Sequence, residues 1–108
     1  MSETPPRISF EKLAYASEML KVLGHPLRLR IAELLDAQSE LPVNALVSET
    51  GEPQPTVSQH LTIMKLRGVL KARRQGGQVF YALAHSQVRK VLDCVRTCDV
   101  DPDRKEGR

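Results

Sequence analysis

One stretch, GEPQPTVSQHLTIMKLRG at residues 51–68, decides the fold of this chain. Its first glycine can end one short helix, and the proline at position 55 can occupy the first turn of the next. The apolar residues of this second segment recur at helical spacing: Val57, Leu61 and Met64. Gly68 can end it in a left-handed conformation, so the sequence predicts a helix over 55–67. Two helices joined by a tight turn that contains glycine are typical of a helix-turn-helix.

After Gly68 the spacing of apolar residues changes from that of a helix to the alternation of a strand. Two short runs rich in Val, Phe and Tyr predict a two-stranded hairpin over residues 69–74 and 78–83. The QGG segment between them supplies the positive φ angles that a hairpin turn needs. A helix-turn-helix followed by a basic hairpin predicts a winged helix, in which the second helix enters the major groove and the hairpin follows the flanking backbone.

Further helices flank this unit on both sides. Helical spacing of apolar residues predicts helices over 9–23 and 26–37, and Ser86 can cap a last helix that runs to about residue 98. The fold class is therefore mainly α with a small β-hairpin, a winged helix-turn-helix in the order four helices, hairpin, helix. The predicted flexible arm, folded domain and flexible tail cover residues 1–8, 9–98 and 99–108.

Length and composition exclude several classes of protein. A chain of 108 residues with 41% apolar and 27% charged residues can bury the core of one domain, and no apolar run is long enough for a membrane span. Two cysteines are too few for a disulfide framework, and the first residues lack a secretory pattern, so we expect the reducing cytoplasm. With no Trp, two Phe and two Tyr, the chain has little with which to stack unpaired bases.

The distribution of charge is more informative than the net charge of +3. Residues 1–52 carry five basic and eight acidic side chains, whereas residues 53–92 carry seven basic side chains and no acidic one. A basic field on a predicted winged helix favours a phosphate backbone as the partner. The alternative is a solvated basic face.

Polar side chains of the second helix are candidates for reading bases, because Gln can pair with adenine and Ser, Thr and His can contact base edges or phosphates. Basic side chains there and on the hairpin are candidates for phosphate contacts, which carry little sequence information. The predicted DNA-binding residues are Thr56, Ser58, Gln59, His60, Lys65, Arg73, Arg74 and Gln78. In the alternative interpretation Gln59 and His60 are ordinary solvated residues.

Three blocks of the sequence resemble the ArsR/SmtB family of bacterial repressors. They are LKVLGHPLRLRI at residues 20–31, PTVSQHL at 55–61 and RRQGGQVFY at 73–81. The resemblance implies a homodimer that pairs through its first and last helices and represses an operator until an effector binds. Because a two-fold protein reads a two-fold site, we expect a near-palindromic duplex. The family's operator contacts match Ser58, Gln59, His60, Arg73 and Arg74.

The resemblance does not supply the effector, because the ligand sets of the metal-sensing and sulfur-sensing members are absent or incomplete here. What remains is Cys94 and Cys98, four residues apart on the predicted last helix and therefore on one edge of it. Such thiols could bind arsenite or a thiophilic metal ion, or be oxidised. The alternative is that they are small packing residues.

Two other functions compete with a DNA-binding repressor. A winged helix can serve as a protein-interaction module, but that role has no need of a carboxylate-free segment with seven basic residues. A thiol oxidoreductase using Cys94 and Cys98 is disfavoured, because their spacing is one residue longer than the redox motif. Ser58 and His60 face apart on a helix and do not form a nucleophile–base pair. We therefore expect that the chain is not an enzyme.

Overall fold

The computed structural model describes residues 4–100 and forms a winged helix-turn-helix of five helices and three strands within them. In chain order the elements are α1 (Phe10–Leu23), α2 (Pro26–Gln38), β1 (Leu41–Pro42), α3 (Val43–Thr50), α4 (Gln54–Leu66), β2 (Leu70–Gln75), β3 (Gln78–Leu83) and α5 (Gln87–Arg96). The predicted fold class is confirmed. The predictions made for residues 1–3 and 101–108 lie outside the described residues.

Helix boundaries follow from local signals. The Ser9 hydroxyl accepts a hydrogen bond from the Lys12 amide at 3.2 Å and so caps α1. The side chain of Ser86, in contrast, makes no capping hydrogen bond to α5, although the residue occupies the N-cap position. None of the helices in residues 4–100 is both long enough and apolar enough to cross a bilayer.

The sheet contains a third strand that the spacing of apolar residues did not predict. β1 pairs antiparallel with β3, with Leu41 opposite Tyr81 and Pro42 opposite Phe80, and the strand order is β1-β3-β2. Two residues are too short to show a period of two, and a proline such as Pro42 also suits the first turn of a helix. Its missing N–H is tolerated because β1 is an edge strand.

The β2–β3 hairpin, called the wing below, closes in a tight turn. Gly76 and Gly77 have φ angles of 59° and 81°, and a type I′ turn needs positive φ at both central positions. The flanking pair is Gln75 opposite Gln78. The wing tip therefore depends on two adjacent glycines that no larger residue replaces without strain.

The core orients α4 as well as stabilising it. All five helices contribute fully buried side chains, which include Leu23, Ile31, Leu35, Leu46, Val57, Leu61, Met64 and Val88. The three α4 members are those that helical spacing predicted as its inner face. Burying each contributes about 1.5–3 kcal/mol. Because that face is held inward, the opposite face of α4 is turned to solvent.

Most of α1 is not packed against the core in the single chain. Val22 and Leu23 at its end are buried, but four large apolar or aromatic side chains before them are 46% to 82% exposed. They are Phe10 at 82%, Leu13 at 46%, Tyr15 at 51% and Leu20 at 51%. Phe10, Leu13 and Leu20 lie within about 80° of one another around the helix and are called the α1 apolar face below, whereas Tyr15 lies on the opposite side.

Candidate nucleic-acid interface

The outermost polar side chain of α4 is Gln59. At about 100° per residue it lies about 160° around the helix from the buried Leu61. It is exposed, and its amide makes no hydrogen bond to any other residue within 4–100. Its carbonyl oxygen and its NH2 group are therefore both available to bond a base edge.

The other predicted contacts on α4 lie to either side of Gln59. Thr56 and Ser58 are half-buried, and Lys65 is exposed near the end of the helix. No side chain caps the N-terminus of α4 and no acidic residue lies in its first turn. Its free backbone N–H groups and the positive end of its dipole thus suit an anion such as a phosphate.

His60 is turned away from Gln59 and towards α2. Its Nδ1 accepts a hydrogen bond from Arg28 Nε at 3.0 Å, and its ring centroid lies 4.6 Å from that of His25. Burial lowers the pKa of His60, and the nearby His25 and Arg28 lower it further, against a smaller opposing effect of Glu52. This predicted base-reading residue is therefore engaged inside the protein.

The two wing arginines are consecutive residues of β2 and therefore point to opposite faces of the sheet. Arg73 lies opposite Phe80, and Arg74 lies opposite Val79. Nε and Nη2 of Arg73 each donate to a carboxylate oxygen of Glu40 at 2.7 Å. The guanidinium also lies 4.9 Å from the centroid of the Phe80 ring. Hydrogen bonding from Arg73 holds the pKa of the Glu40 carboxyl below its usual value.

Arg74 makes no ion pair within residues 4–100, and it is exposed near the wing tip, as Gln78 is. The structure therefore distinguishes two arginines that the sequence treats alike. Arg74 is free to meet a phosphate, whereas Arg73 is bound to Glu40. Sequence reasoning missed Glu40, because only folding brings a residue 33 positions away to the wing.

Folding also brings acidic residues of the first half of the chain onto the basic segment 53–92. The pairs are Arg67–Glu18, Arg73–Glu40 and Arg89–Asp36. Within segment 53–92, the basic residues that make no ion pair to any described residue are Lys65, Lys71, Arg74 and Lys90. The positive surface is therefore narrower than the linear charge pattern indicates, and it includes both α4 and the wing.

The two cysteines do not share one helix. Cys94 lies in α5, but the helix ends at Arg96, and Cys98 lies two residues beyond it. The Cys98 amide donates to the Val95 carbonyl at 3.1 Å, which tightens the final turn. Both residues are free and exposed. No group of three or more His, Cys, Asp or Glu side chains in residues 4–100 is arranged to hold a metal ion.

A helix-turn-helix with an outward amide on its second helix, beside a hairpin with a basic tip, defines a winged helix-turn-helix DNA-binding protein. The sequence profile of the bacterial regulatory protein arsR family matches residues 25–72. The chain belongs to that family, and it is a DNA-binding transcriptional repressor of the ArsR/SmtB type.

Relatives are similar over most of the chain. An HTH-type transcriptional regulator of Methanocaldococcus jannaschii is 38% identical over 85 residues, which are 79% of this chain and 96% of that protein. The HTH-type transcriptional repressor SmtB of Mycobacterium tuberculosis is 44% identical over 92 residues, 84% of this chain and 65% of that protein. The crystal structure of the transcriptional repressor PagR of Bacillus anthracis matches with a TM-score of 0.75 at 33% identity, covering 81% of this chain and 99% of that one.

Proposed function

We propose that the chain represses transcription as a homodimer on a near-palindromic operator, and that an effector acting at Cys94 and Cys98 releases it. The observation that supports operator reading is the outward, unbonded amide of Gln59 at the centre of a helix whose rotation is set by the core. Such a repressor acts in the cytoplasm, where the chromosome lies, and needs no catalytic step.

The α1 apolar face supports the homodimer. Large apolar side chains exposed together on one face of a helix are typical of an interaction surface. Val95 on α5 is also 51% exposed, so the first and last helices both present apolar side chains to solvent. A two-fold axis beside these helices covers both surfaces with their own copies, as an isologous interface requires.

The operator contacts follow from what each side chain has free. In the proposal Gln59 reads a base, with Thr56 and Ser58 beside it, while Lys65, Arg74 and Gln78 hold the phosphate backbone. His60 and Arg73 can contact DNA only after giving up their internal partners, Arg28 and Glu40. Two copies of α4 then enter successive major grooves, with half-sites about 10 bp apart.

The exposed thiols support the effector proposal. Arsenite prefers three thiolates, so Cys94 and Cys98 would need a third from the second protomer or from a small molecule. Oxidation needs only two thiols, within one chain or across the two-fold axis. Either event releases the operator only if it favours a dimer geometry that fits DNA poorly, with a coupling of about 1–3 kcal/mol.

The test is to select fragments from the genomic DNA of the source organism with the purified chain and to footprint those that bind. We expect protected half-sites about 10 bp apart and a complex of two chains per duplex in sedimentation. Random duplex of equal length is the control. Failure to enrich any fragment over random DNA contradicts operator binding and favours the protein-interaction module; a bound monomer contradicts the dimer.

A further inference from the structure

One side chain, Arg28 of α2, joins three helices. Its Nη1 donates to the Val22 carbonyl at 3.1 Å, and its Nε donates to His60 Nδ1 at 3.0 Å. Val22 lies in the last turn of α1, and His60 lies in the middle of α4, one residue after Gln59. The Arg28 side chain therefore connects the helix with the exposed apolar face to the helix that reads DNA.

This connection requires a neutral imidazole. A neutral histidine ring has one acceptor nitrogen, so His60 must carry its proton on Nε2 in order to accept from Arg28 at Nδ1. The ring of His25, tilted by 52° against that of His60, accepts from the Leu27 amide through its own Nδ1 at 3.1 Å and caps α2.

Protonation of His60 sets two donors against each other, because an Nδ1–H would then face the Nε–H of Arg28. It also adds a positive charge next to a guanidinium. The titratable and charged groups around the ring are Arg28 and Arg30 on α2, His25 at the N-cap of α2, and Glu52 in the turn before α4. Arg28 and His25 disfavour the imidazolium of His60, and Glu52 favours it.

We propose that Arg28 and His60 are a positioning pair for α4, and that protonation of His60 breaks the pair and weakens operator binding in acid. The inference rests on operator binding through α4. The sign follows from the lowered pKa of His60 in the folded protein. The neutral, bonded form is fully present above the ordinary histidine pKa of about 6.5 and is lost as the pH falls through the lower folded value.

Simple electrostatics predicts the opposite result, because an added positive charge on a DNA-facing helix strengthens attraction to phosphates. Operator affinity is therefore measured by fluorescence anisotropy from about pH 8 to about pH 5.5 at constant ionic strength, with the full chain and the selected operator. We expect the wild type to lose about fivefold or more in affinity over this range. An affinity that stays constant or rises in acid overturns the proposal.

Variants assign the effect to His60. His60→Gln keeps a carbonyl that can accept from Arg28 and does not titrate, so we expect its affinities at pH 8 and at pH 5.5 to be nearly equal. His60→Ala removes the acceptor, and we expect affinity at pH 8 that is already as low as that of the wild type in acid. If His60→Ala does not fold, the flat profile of His60→Gln carries the test. A wild-type slope in His60→Gln overturns the proposal.

Two other histidines serve as controls. His85→Gln, in the exposed loop before α5, is expected to keep the wild-type pH profile. His25→Asn keeps an N-cap acceptor without a titrating ring, and we expect it to retain an acid-sensitive affinity. Loss of the slope in His25→Asn alone overturns the assignment to His60. Operator binding at pH 8 that does not depend on pH would contradict the positioning pair but not operator binding. No binding at any pH would contradict operator binding itself.

Discussion

Arg73 on the wing and Glu40 before β1 form an ion pair with two hydrogen bonds of 2.7 Å. The two residues are 33 positions apart, and the pair attaches the wing to the end of α2. Since the Glu40 carboxylate occupies two of the guanidinium donors, a DNA phosphate must compete with it for Arg73. At its tip the wing therefore presents Arg74, and not Arg73, as the unengaged cation.

Glu40→Gln is predicted to strengthen binding to all duplexes, because it frees Arg73 and removes a negative charge. The slope of log affinity against log salt should steepen by about 0.9 for the added phosphate contact. Arg74→Ala is the matched comparison and should make the slope shallower by about the same amount. Unchanged slopes in both variants would mean that the wing does not reach the phosphates.

Gln59→Ala is predicted to weaken sequence-specific binding without weakening the phosphate contacts. Loss of a bidentate base contact should cost about 1–3 kcal/mol on the operator and little on random DNA. Gln38→Ala, at the exposed end of α2, is the control and should leave both affinities unchanged. Equal losses of Gln59→Ala on the two duplexes would show that this amide does not read sequence.

Phe10→Asp is predicted to weaken the homodimer without unfolding α1. The ring is 82% exposed in the single chain, and an acidic residue in the first turn of a helix is favourable. We expect the sedimentation equilibrium to shift towards monomer and operator affinity to fall with it. Lys12→Asp places the same side chain about 200° around the helix and should leave the dimer intact. A Phe10→Asp chain that dimerises as the wild type does would place the interface elsewhere.

Replacing both thiols tests the effector. Cys94→Ser/Cys98→Ser should bind the operator normally and no longer be released by arsenite, thiophilic metals or oxidants. The single variants show whether one thiol suffices. Release of the double variant at wild-type effector concentrations would mean that the effector acts at other residues.

Asp36 is predicted to support the attachment of α5. Its side chain is 10% exposed and accepts from Arg89 at 2.7 Å and from Arg96 at 3.4 Å, and these bonds lower its pKa. The stabilisation is present above the ordinary carboxyl pKa and is lost as the pH falls through the lower folded value. Asp36→Asn should reduce the free energy of unfolding at neutral pH by about 1 kcal/mol, measured by urea denaturation.

Asp93→Asn is the control for that measurement. Asp93 bonds the same Arg96 at 2.7 Å, but it is exposed and lies three residues away on the same helix. Its removal should cost less than about 0.5 kcal/mol. If the two variants unfold alike, the pairing between α2 and α5 adds nothing beyond an ordinary surface ion pair.

Most of the helices and the wing were predictable because their signals are local. The spacing of Val57, Leu61 and Met64 predicted both the extent of α4, within one residue, and its inner face. Adjacent glycines predicted the wing turn. The strand β1 was not predictable, because it has only two residues. The end of α5 was not predictable either, because the residues up to Cys98 can be helical although the helix ends at Arg96.

The sequence by itself determined the helix-turn-helix, the wing and the polar outer face of α4, because these depend on residues within a few positions of one another. Only the tertiary structure decided which polar residues of that surface are free. His60 meets Arg28 across 32 positions, and Arg73 meets Glu40 across 33. Such pairs form because core packing brings separate helices and strands together, and a local pattern carries no information about which distant charge will lie beside it.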